Sequence, residues 1–275
     1  MPEQTPGTLP AELGRFRAVQ RLAYDCAEAV ASTLEPGVTE RQAAERMRRW
    51  LESRGVDDWF HYPFAWFGDR TAFRGLVAPH QFFPTDRRLE PGMPYILDCA
   101  PVVDGYAADI GYAGALGGNA IQAKLVEDLS EHRQLILEGA RNRRSFRAIY
   151  DDVDRLMIRQ GYDNRHRCYP FGVLAHRVDH VSGPGAKLSF AGFGVRGIGA
   201  MLRSLAVGRS AGWSPLWGPT MASDHPPAPG LWAVEPHVGL RGVGAKFEEL
   251  LVVTETDAFW LDDDLPHVRR RADAC

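Results

Sequence analysis

The residues whose types and spacing first point to chemistry are two aspartates in the stretch YILDCAPVVDGYAADIGYAG, Asp98 and Asp109. Asp104-Gly105 between them is a two-residue turn pair, the kind that takes positive φ at both central positions and joins antiparallel strands. With that turn Val103 faces Tyr106, and counting outward Ala100 faces Asp109. Side chains alternate along a strand, so Asp98 shares the face of Ala100. The two carboxylates are then diagonal neighbours, with β-carbons about 7–8 Å apart. At that separation they repel unless positive charge lies between them. A divalent cation, or a pair of cations about 3.5–4 Å apart, fits the gap. The flanking Ile96, Leu97, Ala100, Val102, Ala107, Ala108 and Ile110 are apolar, which argues against two solvated acids. Spacing alone leaves two readings open, a metal site and an ordinary ion-pair network.

The elements that must hold this hairpin follow from periodicity. Leu13, Phe16, Val19, Leu22, Ala23 and Cys26 recur at helical steps and predict a helix from about Pro10 to Leu34. EPGV breaks it, and Thr39 opens a second helix to about Arg54, with TERQ as a capping box. The aromatic-rich residues 61 to 78 are expected to be irregular. Helices are predicted from about Ala120 to Ala140 and from Ser145 to Gln160, the latter stopped by Gly161. Val181 to Thr220 is glycine-rich, poor in acids and carries apolar clusters such as AMLRSLAVG. LWAVEP and KFEELLVVTE read as strands, and the charged tail DDDLPHVRRRADAC is expected to fray. Helices mixed with antiparallel hairpins predict an α+β domain.

Composition excludes several function classes. The chain has 275 residues, 45% hydrophobic and 24% charged, enough for a core without disulfides. The 32 basic and 35 acidic residues leave a formal charge of −3, which offers no electrostatic basis for nucleic-acid binding. No run of 18 apolar residues exists, so no membrane partner is expected. The start MPEQTPGTLPAELGR lacks the basic and apolar regions of a signal peptide. Cys26, Cys99, Cys168 and Cys275 are too scattered for a zinc knuckle or a disulfide framework, so a cytoplasmic protein with reduced thiols is expected. Cys99 neighbours Asp98, but alternation points it away from the carboxylate face.

The stretch FPTDRRLEPGMPYILDCAPVVDGYAADIGYAG resembles the metal-binding hairpin of the pita-bread metallohydrolases, which include methionine aminopeptidase, Xaa-Pro aminopeptidase, prolidase and creatinase. In that family two aspartates eleven positions apart bind two metals, one of them bridging, and here 109 minus 98 is 11. LAHRV, AVEP and FEELLVVTE are similar to the family's later ligand segments. LGRFRAVQRLAYDCAEAVASTLEPGVTERQAAERM is similar to its opening helices. The resemblance implies a single pita-bread domain over 1–275 and a ligand set of Asp98, Asp109, His176, Glu235 and Glu248. It also implies two divalent metal ions (Mn, Co, Fe or Zn) and a metal-bound water that cleaves a peptide or amide C–N bond. It gives Glu235 a second role, handling that water's proton. Glu249 is expected on the opposite face from Glu248.

The chain departs from the family pattern in three places. The glycines usual around the metal histidine are absent at His176. In FAWFGDRTAFRG, Arg74 stands near where family peptidases carry a substrate-contacting histidine, which favours a small carboxylate-bearing substrate, with Arg70 a second candidate. His180 and His225 are the candidates for the later catalytic histidine, with His237 behind them. From His176 to Glu235 is 59 residues, so the segment 181–222 is read as an insertion, an active-site lid or a subunit contact compatible with a homodimer. Phe64, Trp66 and Phe67 either line an apolar pocket or belong to the core. The alternative function is a metal-free pita-bread module that binds peptides or a partner protein without catalysis.

Overall fold

An apolar stripe places the first helix and a local capping signal the second. The structure, a computed structural model, describes residues 10–76, 78–182, 187–190 and 192–272. Helix α1 (Pro10–Ala31) buries Phe16, Val19, Ala23, Cys26, Ala27 and Val30 as one stripe. Helix α2 (Glu40–Glu52) begins at Thr39, whose hydroxyl accepts from the Gln42 N–H while the Gln42 side chain accepts from the Thr39 N–H. This is the reciprocal cap expected from TERQ.

The aromatic-rich stretch is irregular only after Phe67, where a short 3-10 turn (Gly68–Ala72) and loop residues follow; its first part is regular. That part belongs to strand β1 (Asp58–Phe67), paired antiparallel with β2 (Pro94–Val103). Its register shifts twice, between Trp59 and His61 and again between His61 and Phe64. Such bulges re-aim side chains, and together with Pro63 they hide the two-residue period from a sequence reading. Strand β2 then turns through Asp104 (φ 51°) and Gly105 (φ 84°) into β3 (Tyr106–Ala107) and β4 (Ile110–Ala115). Val103 faces Tyr106 as expected, and Asp98 faces Gly111. Ala108 and Asp109 leave the ladder between the two short strands, with Ala108 N–H still donating to the Pro101 carbonyl.

Helices α3 (Ala120–Arg141) and α4 (Phe146–Gln160) are capped by Asn119 and Ser145, and α4 stops at Gly161 (φ 78°). The chain continues through β5 (Asp163–Asn164), β6 (Ala175–Val178), β7 (Ser189–Phe190), β8 (Phe193–Gly194), α5 (Val195–Ala211) and β9 (Leu216–Trp217). It closes with β10 (Gly230–Val234), β11 (His237–Leu240), β12 (Val243–Lys246), β13 (Glu249–Val253), β14 (Ala258–Trp260) and α6 (Pro266–Ala272). Three sheets result: β1–β4 with β7 and β8, then β14-β13-β10-β6-β9, then β12-β11-β5. Every strand pairing among the described residues is antiparallel, which makes the fold α+β. An isolated bridge between Gly111 and Glu248 joins β4 to the entry of β13, so the first two sheets meet there.

The charged tail does not simply fray: α6 docks, with Leu265 buried and Arg270 donating to the Ala113 carbonyl. Residues 273–275, with Cys275, lie outside the described residues. Strand β8 and helix α5 pack onto β1, and Phe193 pairs with His61. A β-carbon at Gly194 would lie 1.7 Å from the Trp59 carbonyl oxygen, so only glycine allows that approach. Among the described residues no helix is long and apolar enough to cross a membrane.

Candidate metal centre

Each element delivers one group to a single buried point. β2 carries Asp98, and the break after β3 carries Asp109. β6 carries His176, opposite Ala233 of β10, and Glu235 follows β10 with its N–H on the Leu174 carbonyl. Glu248 is held at the Gly111 bridge, where its carbonyl accepts from the Tyr24 hydroxyl at 2.7 Å. The five residues that the family resemblance singles out are thus brought together, and the two that spacing alone proposed lie among them.

Two further residues complete the cluster, and the sequence reading missed both. His61 points its Nε2 at Asp109 Oδ1 (3.1 Å) and Asp98 Oδ1 (3.4 Å). Lys246 places its Nζ 2.6 Å from Asp98, 2.8 Å from Glu248 and 3.0 Å from Glu235. His176 Nε2 lies 3.3 Å from Asp109 Oδ2 and 3.9 Å from Glu248 Oε1. The contacts close a ring: His61, Asp109, His176, Glu248, Lys246, Asp98 and back to His61. Carboxylates and nitrogen bases alternate around it. Lys246 is aimed by the β11–β12 hairpin, whose turn at Arg241 (φ 51°) and Gly242 (φ 85°) sets Lys246 opposite His237. Its stem passes over Gly111, where a β-carbon would fall 2.2 Å from Lys246 Cε. A signal for Lys246 was available, since a residue two before Glu248 in an extended stretch tends to share its face. His61 had none, because the bulges decide where it points.

The charges are unequal. Four buried carboxylates face one ammonium and two imidazoles. Burial opposes charge on Lys246, but Asp98 and Glu248 outweigh it and hold the amine well above its usual range. Burial likewise opposes a charged His61, and Asp109 and Asp98 overcome it, raising the imidazole to about 9. His176 is raised for the same reason, by Asp109 and then Glu235. Burial works against the Asp109 charge too, yet the two histidines hold its carboxyl well below the carboxylate range. Burial, then repulsion from Asp109 and Glu235, pushes Glu248 well above that range, and burial raises Glu235. The cluster holds more carboxylate than its own bases neutralise.

That donor set fits cations. His61, Asp98 and Asp109 form one group whose ligand atoms lie within 4.8 Å of one another, and Asp109, His176 and Glu248 form a second. Asp109 belongs to both, one oxygen turned to each histidine. Either group could hold a metal ion, and their shared carboxylate places two such positions side by side.

The other expected residues lie elsewhere. His180 is exposed, with Nε2 3.2 Å from the Asp104 carbonyl at the hairpin tip. His225 accepts from the Ser214 N–H through Nε2, and its Nδ1 donates to the Pro226 carbonyl, which leaves the ring no free nitrogen. His237 is spent in the same way on Thr71 and Tyr169. Arg74 is exposed in a turn and makes no hydrogen bond or ion pair to the cluster among the described residues. Arg70 is committed to the buried Glu40 and to the carbonyls of Gln81 and Phe83. Phe64, Trp66 and Phe67 are core residues. Cys99 is fully buried in the second core cluster. A small cavity beside the cluster is walled by Phe60, Asp109 and His176 on one side and by Gly197, Ala200 and Met201 of α5 on the other. A larger cleft of about 690 Å³ lies between α3 and α6, and of the cluster only Lys246 lines it.

Comparison with known proteins bears on the family and the fold. The model of metallopeptidase family M24 matches residues 14–255. The structure is similar to an X-Pro aminopeptidase of Thermotoga maritima, with a TM-score of 0.68 and 16% identity over 95% of this chain and 63% of that one. It is similar to a prolidase of Pyrococcus furiosus, with a TM-score of 0.66 and 16% identity over 93% of this chain and 64% of that one. A methionine aminopeptidase of Rickettsia prowazekii gives a TM-score of 0.61 and 14% identity over 94% of this chain and 99% of that one. At such identities the likeness concerns the fold. By sequence, 99 residues are 29% identical to an uncharacterized peptidase of Staphylococcus aureus, covering 36% of this chain and 26% of that protein.

Proposed function

Because the chain belongs to metallopeptidase family M24, we propose that it is a dinuclear-metal hydrolase that cleaves a C–N bond in peptides or small amides. The observation that carries this reading is the pair of metal-competent groups sharing Asp109. Asp98, Asp109, His176, Glu235 and Glu248 are the proposed ligands. A carboxylate-rich set with imidazole suits manganese, iron, cobalt or zinc. Ions bound there would polarise a carbonyl oxygen and make water a nucleophile near neutral pH.

The chain's own groups supply the rest. Glu235 is the least buried of the four carboxylates at 8% exposure, against 2–4% for the others, and burial raises its carboxyl. Its role in this reading is to take a proton from water and return it to the leaving nitrogen. Lys246 holds Asp98, Glu235 and Glu248 in a fixed arrangement. The segment 181–222 is an insertion in this reading, and its helix α5 supplies the cavity wall that faces Phe60 and His176. The names of the structural relatives favour a peptide substrate. A small substrate whose carboxylate meets Arg74 is the narrower reading, and it needs that exposed residue to reach over the site.

Metal analysis of the isolated protein, followed by assays of metal-loaded protein on a panel of peptides, tests the reading. The expected result is divalent metal in the isolated protein, a higher melting temperature on adding manganese or cobalt, and hydrolysis that a chelator abolishes. A melting curve unmoved by millimolar metal, with no turnover, would leave a peptide-binding module without catalysis.

A further inference from the structure

The histidine that the bulged part of β1 turns inward is not among the five ligands proposed above. We propose that His61 is itself a metal ligand, and that its Nε2 completes a position made with Asp98 and Asp109. This rests on the reading of the cluster as a metal site.

Distance comes first. Two ligand atoms each about 2.1 Å from one ion lie about 3.0 Å apart at a right angle and about 3.4 Å apart at a tetrahedral angle. His61 Nε2 lies 3.1 Å from Asp109 Oδ1 and 3.4 Å from Asp98 Oδ1, the edges of such a polyhedron. Tautomer comes next. His61 Nδ1 lies 2.8 Å from the carbonyl of the following residue, Tyr62, and so donates to it. The second nitrogen therefore turns toward the aspartates. Ligating histidines are held in this way by a backbone carbonyl behind the ring. His176 repeats the arrangement, its Nδ1 3.2 Å from the carbonyl of the following Arg177 and its Nε2 on the other oxygen of Asp109. The two imidazoles are equivalent about the shared carboxylate.

Packing also fixes the ring. His61 is buried between register shifts on either side, with Phe64 5.1 Å away and Phe60 and Phe193 each 6.1 Å away, centre to centre. Lys246 takes the opposite oxygen of Asp98, so the two aspartate oxygens facing His61 are the ones left for an ion. An imidazole serving only as a counter-ion would satisfy the same distances, and the experiment separates the two.

The metal-stripped full chain is titrated with Co2+ by equilibrium dialysis against a chelator buffer, and the loaded protein is examined by proton NMR for hyperfine-shifted imidazole N–H signals. The wild type should take up two ions and show two such signals. His61→Gln should show one signal and bind one of the two ions at least about tenfold more weakly, since even the groups behind a ligand are worth that much. A wild type that binds Co2+ but shows one imidazole signal overturns the proposal without any variant. So does His61→Gln with both ions bound at unchanged affinity. In both cases the hydrolase reading survives. A wild type that binds no metal overturns both.

Discussion

Glu248 and Glu249 are neighbours in sequence and lie in opposite electrostatic worlds. Glu248 faces Asp98, Asp109, Glu235, His61, His176 and Lys246, so that four carboxylates, its own included, meet three bases, and its own carboxyl is pushed well above the usual range by burial and by Asp109. Glu249 points to the other side of the same strand, as alternation requires. There Arg133 grips both its oxygens at 2.6 and 3.1 Å, and His267 adds a contact at 3.0 Å. The second cluster is saturated and ties α3 and α6 to β13. The first is short of positive charge by its construction. Excess buried carboxylate costs stability unless a cation arrives, so the deficit marks the functional side and the balance marks the structural side.

The largest expected effect contrasts these two residues. Glu248→Gln should lower kcat/KM by at least about a hundredfold and weaken metal uptake, because it removes a ligand rather than a group behind one. In the metal-free protein the same change should cost little, since burial and Asp109 already push the Glu248 carboxyl toward its neutral form. Glu249→Gln should do the reverse. Metal stoichiometry stays intact and stability falls by about 3 kcal/mol, near the low end for breaking a buried ion pair, since Arg133 keeps Asp263. Denaturant unfolding with and without metal, beside steady-state kinetics, reads both. Equal behaviour of the two variants would erase the distinction.

Lys246→Met sharpens it from the cationic side. It removes the only ammonium among the described members of the cluster and leaves three carboxylates facing one another. Metal-free stability should fall by about 3–5 kcal/mol, with much of the loss recovered on adding metal. A metal-independent loss would make Lys246 a purely structural residue.

The pH dependence should follow His61. Its folded value of about 9 lies above the ordinary 6.5. Its stabilisation is therefore complete below about pH 6.5 and is lost as pH rises through 9, about 3 kcal/mol in all at 1.36 kcal/mol per unit. Unfolding of the metal-free protein across that window should show this fall, and His61→Gln should flatten it. The smallest effect belongs to Arg74→Ala. On neutral peptides it should change kcat/KM by less than about twofold, because an exposed residue away from the cluster contributes little. A large rise in KM confined to carboxylate-bearing substrates would restore the narrower reading.

By itself the sequence determined what depends on near neighbours. The Asp104-Gly105 turn and strand alternation set the Val103–Tyr106 pairing and put Asp98 and Asp109 on one face. Thr39, Ser145 and Gly161 bounded their helices because caps act within a few residues. The similarity of LAHRV, AVEP and FEELLVVTE to known segments pointed to His176, Glu235 and Glu248, which lie too far apart for any local rule. Tertiary structure alone decided the rest. Bulges on both sides of His61 turned its ring inward, and a bulge is a property of two paired strands. Gly111 let the Lys246 stem cross β4, a matter of packing between two sheets. His180, His225 and Arg74 went elsewhere because a side chain's partner is set by what folds against it, and residue type and spacing do not carry that information.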